Sequence, residues 1–305
     1  MVTTAVQVGS LGLKNPVLAA SGTFGFGREM AQYQDLSRLG GICSKGLTLR
    51  PRAGNPPPRV AETSCGMLNS VGLQNPGLDV FLRDELPFMR QQGCAVIVNV
   101  AGHSTDEYCE MCRRLDQAPV DAIELNLSCP NVREGCMLIG SDARQIESLI
   151  RQVKQETRKP VWAKLTPNVT SIGDMALAAQ RGGADAIVLI NTLLGLAIDY
   201  RTRRPILGNN TGGLSGPAIK PVALRMVAEV SQMVDLPLIG VGGIMNGQDA
   251  IEFLIAGASA IEIGTASLIR PTACTDILEE MTALAQADGV TDLAEYRGTL
   301  RLWGY

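Results

Sequence analysis

The sequence predicts an α/β fold: a (β/α)8 TIM barrel with an N-terminal β-hairpin and long loops at the C-terminal barrel face, in one domain over residues 1–305. Three observations carry that reading. A short apolar run followed by a helical pattern occurs eight times, and strands alternating with helices build parallel βαβ units. A length of 305 residues is ordinary for a closed barrel and long for one sandwich. Hydrophobic residues make up 46%, aromatics only 4%, and there are 33 glycines, which suits an aliphatic core and many tight turns. An open doubly wound sheet is the runner-up, and eight units at this length favour closure.

Residues 6–13 read as a hairpin turning at Gly9-Ser10, too short for a sheet of its own and placed to plug one end of the fold. Strands are then expected at 16–20, 41–45, 95–100, 122–127, 161–165, 186–190, 237–241 and 260–263. Helical patterns lie between them at 27–39, 78–92, 105–117, 142–157, 172–181, 217–233 and 247–256, with 271–288 closing the series. Asp142 and Asn246 stand where a short polar side chain caps free amides. Two connections exceed what a barrel turn requires: 47–76, stiffened by Asn55-Pro56-Pro57-Pro58, and 193–216, rich in Arg, Asn and Gly. Both follow strand C-termini, where barrel loops build sites, so they read as lids or substrate walls.

The formal net charge is −3, and no basic block supplies a footprint for nucleic acid or an anionic membrane. Eight cysteines are scattered without a disulfide framework, and the first residues lack the order of a signal peptide. The expected compartment is the reducing cytoplasm. No apolar run approaches the roughly 20 residues of a membrane span.

The stretch Ala122-Ile123-Glu124-Leu125-Asn126-Leu127-Ser128-Cys129-Pro130-Asn131 starts as a buried strand and ends in small polar residues. It reads as a strand delivering amides, a hydroxyl and a thiol from its C-terminal end, against the plainer alternative of a core strand and a Cys-Pro turn. Leu238-Ile239-Gly240-Val241-Gly242-Gly243 and Ile261-Glu262-Ile263-Gly264-Thr265-Ala266 end the last two strands in residues that let backbone N–H groups approach an anion. That is the usual phosphate site of a barrel, and Gly212-Gly213-Leu214-Ser215-Gly216 adds a third small-residue loop. Tight strand-to-helix turns alone would explain one such loop; two so built, with the third beside them, favour the phosphate reading.

Lys45 and Lys164 each end an apolar strand. A lysine there is costly to desolvate unless it faces an anion or an electron-rich ligand, so both are expected to point at cofactor or substrate. Asn69, Asn99, Asn126, Asn131 and Asn191 fall at strand ends or in the first long loop, and their convergence suits a flat polar heterocycle. Other signals fail: Cys109 and Cys112 have no second pair or His cluster to complete a zinc site, and His103 is the sole histidine. Gly22, Gly25 and Gly27 have the wrong spacing for a dinucleotide fingerprint. Nor are four cysteines clustered as in a plant-type iron–sulfur protein. No metal is expected.

These residues resemble the dihydroorotate dehydrogenases, and within them the catalytic subunit of the class 1B enzymes. Residues 20–27, Ser44-Lys45-Gly46, 66–77, 124–131, 212–217, 240–244 and 263–266 look like that family's blocks, collinear from about residue 6 to residue 270. The resemblance implies FMN across the barrel mouth, touched by Ala20, Ser21, Lys45, Gly46, Asn99, Asn126, Lys164, Ile190, Gly216, Gly242, Gly243, Gly264 and Thr265. It implies dihydroorotate or orotate held by Lys45, Asn69, Ser70, Val71, Gly72, Leu73, Asn126, Asn191 and Thr192. Cys129 matches the family's catalytic base, its thiolate removing the C5 proton while a hydride leaves C6 for the flavin.

Membrane-linked class 2 enzymes carry serine at that position. The run Asn131-Val132-Arg133-Glu134-Gly135-Cys136 and the 22–27 loop look like class 1B rather than the fumarate-linked class 1A. The departure is Cys136-Met137-Leu138-Ile139-Gly140, where the family pattern has a second glycine and an aromatic. Class 1B implies a partner subunit carrying FAD and a [2Fe–2S] cluster that passes electrons to NAD+, in a heterotetramer of two catalytic and two electron-transfer chains. The alternatives are a class 1A enzyme, a barrel like that of dihydropyrimidine dehydrogenase, and, from a different class, a phosphosugar isomerase or aldolase with a Schiff-base lysine.

Overall fold

The computed structural model describes residues 2–127 and 139–304. Cys129, Asn131 and the 131–136 run lie outside the described residues. The strands are β1 (Val6–Val8), β2 (Leu11–Leu13), β3 (Val17–Ala19), β4 (Gly41–Cys43), β5 (Val60–Thr63), β6 (Gly66–Asn69), β7 (Ala95–Val100) and β8 (Ala122–Asn126). They continue with β9 (Val161–Lys164), β10 (Ala186–Leu189), β11 (Leu193–Gly195), β12 (Ile198–Asp199), β13 (Arg204–Pro205), β14 (Gly212–Ser215), β15 (Leu238–Val241) and β16 (Ala258–Ile263). β3, β4, β7, β8, β9, β10, β15 and β16 close in that order into a barrel whose ladders are all parallel. The eight expected strands are these eight, most of them a residue or two shorter at the ends and β16 starting two residues earlier.

Because strand side chains alternate, each barrel strand sends one set outward to the helices and one set inward. The outward set, such as Ile123, Leu125, Val161 and Ala163, packs with helix residues such as Ile146, Leu149 and Ile150 in the large core cluster. The inward set starts with an apolar layer of Ile97, Ala122, Trp162, Ala186 and Ala260, joined by Val8 and Leu13 of the β1–β2 hairpin. The hairpin thus closes the N-terminal end of the barrel. One step further along the same strands the inward residues turn polar: Asn99, Glu124, Lys164 and Glu262.

Helices fill most of the expected spans, among them Thr105–Asp116, Ala143–Glu156, Ile172–Gly182, Gly247–Ile255 and Ala273–Ala287. Asp142 and Asn246 cap as expected, accepting from the N–H groups of Arg144 and Asp249. The span 27–39 does not form a helix. It holds two short 3-10 turns, Met30–Gln32 and Leu36–Arg38, because Gly27 takes a φ of +91° and Asp35, in an extended conformation, turns its carboxylate onto the Ser37 N–H. The span 78–92 is interrupted by a π turn at Phe81–Glu85 just before Pro87, which can donate no helical hydrogen bond. The span 217–233 opens as a 3-10 turn, Pro217–Ile219, before the α-helix Lys220–Ser231.

The two long loops are not independent. β6 of the first pairs with β14 of the second, Gly213 opposite Asn69 and Ser215 opposite Met67. With β5 and β11 they form a four-stranded antiparallel sheet beside the C-terminal mouth. Among the described residues no helix is long and apolar enough to cross a membrane.

Candidate active site

A cavity of about 420 Å³ opens at the C-terminal end of the barrel. Its floor is Asn99 and Lys164 of the polar inward layer, one wall is formed by β5, β6 and β14, and the turns after β15 and β16 close the far end. Of the residues expected at the cofactor, Ala20, Ser21, Lys45, Gly46, Asn99, Asn126, Lys164, Ile190, Gly216, Gly242, Gly243, Gly264 and Thr265 all line it. Of those expected at the substrate, Lys45, Asn69, Val71, Gly72, Leu73, Asn126, Asn191 and Thr192 line it too. Ser70 does not. It points behind the wall, where its hydroxyl accepts from Asn55 Nδ2 at 3.0 Å and its N–H donates to Arg59 O at 2.7 Å, so it braces the loop.

The lysines meet different surroundings. Lys164 Nζ donates to Glu262 Oε2 at 2.6 Å and lies 3.4 Å from Glu124 Oε1. Burial opposes its charge, but the two carboxyls outweigh burial and hold its pKa above the ordinary lysine value. The anion that makes a buried lysine tolerable here is supplied by the protein itself, and its free side still reaches the cavity floor. Lys45 has no such partner: among the described residues no carboxylate lies within 4.0 Å of its ammonium. Burial, and then the Arg59 charge, lower its pKa. An ammonium held that way is set to receive an anion from outside.

The amides are positioned rather than free to rotate. Asn126 has its carbonyl held by the Tyr108 hydroxyl at 2.7 Å, and its Oδ1 accepts from Asn191 Nδ2 at 3.4 Å. Asn191 Oδ1 accepts from the Thr192 N–H at 2.7 Å. Asn69 Nδ2 donates across the sheet to Gly213 O at 3.4 Å. Asn99 gives Nδ2 to Glu124 Oε1 at 2.5 Å, while its buried Oδ1 has no donor among the described residues. A Cβ on Gly46 would sit 2.9 Å from that oxygen, so only glycine leaves the Asn99 amide its place at the mouth.

The far end is bare backbone. Gly243 has a φ of +75°, and a Cβ there would come within 2.7 Å of Lys220 Cβ and 2.9 Å of Gly216 O. Nothing larger than hydrogen fits. The five-residue helix Thr265–Ile269 begins on Gly264 with no side chain capping it; the Ser267 N–H turns back to Gly264 O at 3.0 Å, while the N–H groups of Thr265 and Ala266 come too early in the helix to have an acceptor within it. Thr265 Oγ1 donates to Ser215 Oγ at 2.9 Å, tying this turn to β14. Side-chain-free N–H groups are what a phosphate needs.

Sequence reasoning did not single out Glu124, Glu262 and Cys43, the inward neighbours of Lys164. The signal was present: acids inside the apolar runs Ile123-Glu124-Leu125 and Ile261-Glu262-Ile263 are tolerated only when paired. Gly22, Thr23, Met67, Ser215 and Ile244, inside the marked blocks but not named as site residues, also line the cavity, as do Val60 and Leu268, whose types carry no distinguishing mark. Cys109 and Cys112 sit on the Thr105–Asp116 helix as free thiols.

A closed parallel barrel whose mouth combines a backbone anion cradle, a lysine without a carboxylate partner among the described residues, and fixed amides has the donor set that a phosphate-bearing, polar, planar ligand calls for at a C-terminal barrel face. The comparisons with known proteins make this specific. The dihydroorotate dehydrogenase family model matches residues 3–284. The chain is 52% identical over 299 residues to the "Dihydroorotate dehydrogenase B (NAD(+)), catalytic subunit" of Alkaliphilus metalliredigens, covering 98% of this chain and 99% of that one. It is 52% identical over 297 residues to the protein of that name from Thermoanaerobacter pseudethanolicus, covering 97% and 98%. With the one from a Geobacillus species it shares 52% over 300 residues, covering 98% and 95%. The chain belongs to the dihydroorotate dehydrogenase family.

Proposed function

We propose that this chain oxidises (S)-dihydroorotate to orotate, a step of de novo pyrimidine synthesis toward UMP, as the FMN-bearing catalytic subunit of an NAD+-linked enzyme. The observation that carries the reading is the convergence, in one cavity, of the Gly242–Gly243 and Gly264–Thr265 backbone with Lys45 and the amides of Asn69, Asn126 and Asn191. The residues fit FMN: a cradle that a Cβ would fill at Gly243, a turn at Gly264 with no side-chain cap and a buried Asn99 Oδ1 without a donor among the described residues. Gly216, Gly242, Gly243, Gly264 and Thr265 would hold the phosphate, and Ala20, Ser21, Gly46, Asn99, Lys164 and Ile190 the ring. The chemistry FMN supplies when bound is acceptance of a hydride from C6 of the substrate.

The chain's own residues do the rest. Lys45 neutralises the substrate carboxylate, while Asn69, Asn126, Asn191 and Thr192, with the backbone of 71–73, fix the pyrimidine ring and exclude water. Cys129 takes the C5 proton on its thiolate. The relatives' names include both NAD(+) and "catalytic subunit", and this sequence has neither a dinucleotide fingerprint nor a clustered four-cysteine motif. Electrons therefore leave through a partner subunit with FAD and [2Fe–2S], two of each chain forming a heterotetramer in the cytoplasm.

The purified chain is expected to be yellow and to bleach anaerobically with dihydroorotate but not with dihydrouracil, which lacks the carboxylate. It should not reduce NAD+ alone. A colourless protein, or flavin that dihydroorotate leaves oxidised, would overturn the reading, and NAD+ reduction by this polypeptide alone would remove the partner from it.

A further inference from the structure

Under the cavity, two acids and one base are shut inside the barrel. Glu124 on β8 and Glu262 on β16 are both 0% exposed, and Lys164 on β9 is their only ammonium contact among the described ion pairs. Glu124 Oε1 also accepts from Asn99 Nδ2 at 2.5 Å and from Cys43 Sγ at 3.2 Å. The other oxygens, Glu124 Oε2 and Glu262 Oε1, are buried without any N–H, S–H or hydroxyl donor among the described residues, and a carboxyl oxygen of each lies within 4.8 Å of one of the other's. Two carboxylates have only acceptors and like charge to offer one another, so buried at this separation they are compatible only when one of them holds a proton it can donate. Full ionisation would also leave one uncompensated negative charge out of reach of water, which is costly.

We propose that Glu124 and Glu262 share a single proton, forming a neutral carboxyl–carboxylate–ammonium cluster that positions Lys164 as a cation at the cavity floor. Glu124 is the anionic member, because Asn99, Cys43 and Lys164 all direct donors at it. Glu262 carries the proton and donates it to Glu124. The directions of titration agree: burial and then the Glu124 charge push Glu262 well up, while for Glu124 burial is outweighed by Lys164 and its hydrogen bonds, leaving it below the ordinary value. Cys43 of β4, Asn99 of β7 and Lys164 of β9 are the groups that face the pair. Cys43, Glu124 and Glu262 place ligand-type atoms within 4.8 Å of one another, but the cation they surround is the Lys164 ammonium. The inference concerns the barrel floor and does not depend on which ligand fills the cavity.

The test counts charge on the native enzyme as purified. In nondenaturing electrophoresis at pH 7, Glu262→Gln replaces an uncharged acid by an uncharged amide and is expected to migrate with wild type. Exposed Glu62→Gln, the control, shifts by one charge. Glu124→Gln should also leave the mobility unchanged, since Glu262 then ionises in its place, and the double variant should shift by one. A full one-charge shift in Glu262→Gln would overturn the proposal. Should the variants not fold, infrared spectra of wild-type protein labelled with 13C at the glutamate carboxyls decide it. A protonated-carboxyl band at pH 7 that moves with the label and in D2O supports the shared proton, and its absence refutes it. A flavin-free preparation would count against the proposed function while leaving both measurements informative.

Discussion

Replacing Gly243 by alanine tests the phosphate cradle with one methyl group. The φ of +75° at this position costs an L-residue about 1–2 kcal/mol. The new Cβ would also lie 2.7 Å from Lys220 Cβ and 2.9 Å from both Gly216 O and Lys220 N, and two of those atoms are backbone that cannot swing away. Overpacking of this kind costs about 1–3 kcal/mol more, so the sum is about 2–5 kcal/mol. Gly289→Ala is the matched control: its φ is +73°, yet nothing lies within 4 Å of its Cβ, so it bears the backbone cost alone. At about 2 °C per kcal/mol for a chain of this size, thermal unfolding should fall roughly 4–10 °C for Gly243→Ala and about 2–4 °C for Gly289→Ala. Flavin per chain, read from visible absorbance after gel filtration, should drop only in the first. Gly243→Asp should lose flavin entirely, since it adds a carboxylate beside the phosphate. Equal melting and equal flavin in the two alanine variants would refute the cradle.

Lys45→Gln should weaken orotate binding by roughly 10–100-fold, the scale of one hydrogen bond to a charged group. In wild type the ammonium is present below its pKa, which lies under the ordinary 10.5, so orotate affinity measured by flavin spectral shift should fall as pH rises toward 10.5 from below. A flat profile, or a variant that binds as wild type does, removes Lys45 from the substrate site. Cys129→Ser should retain FMN and orotate binding while slowing flavin reduction by a factor on the order of 10². In wild type that rate should climb with pH toward the thiol pKa, near about 8.5 for a free cysteine; stopped-flow bleaching that is unchanged by the substitution would return Cys129 to a structural role.

The barrel could be read from local signals because a parallel strand covered on both faces is a continuous apolar run, and eight such runs closing a ring leave little choice of topology. The same geometry made most of the cavity legible: Lys45, Asn99, Asn126, Lys164 and the Gly242–Gly243 and Gly264–Thr265 turns sit at C-terminal strand ends, which closure brings to one face. Local competition hid the rest of the secondary structure, as where the Asp35 carboxylate and a left-handed Gly27 replace a helix with two short turns. Ser70 and Val71 are neighbours in sequence, yet one is locked behind the wall by Asn55 and the other lines the cavity, because β6 is registered against β14 of a loop more than a hundred residues away. Glu124 and Glu262 lie far apart in the chain, and only ring closure puts them on one ammonium. Composition and periodicity report what each segment can become by itself; which side of a wall a residue faces, and which charges must share a proton, depend on contacts whose partners the local sequence does not contain.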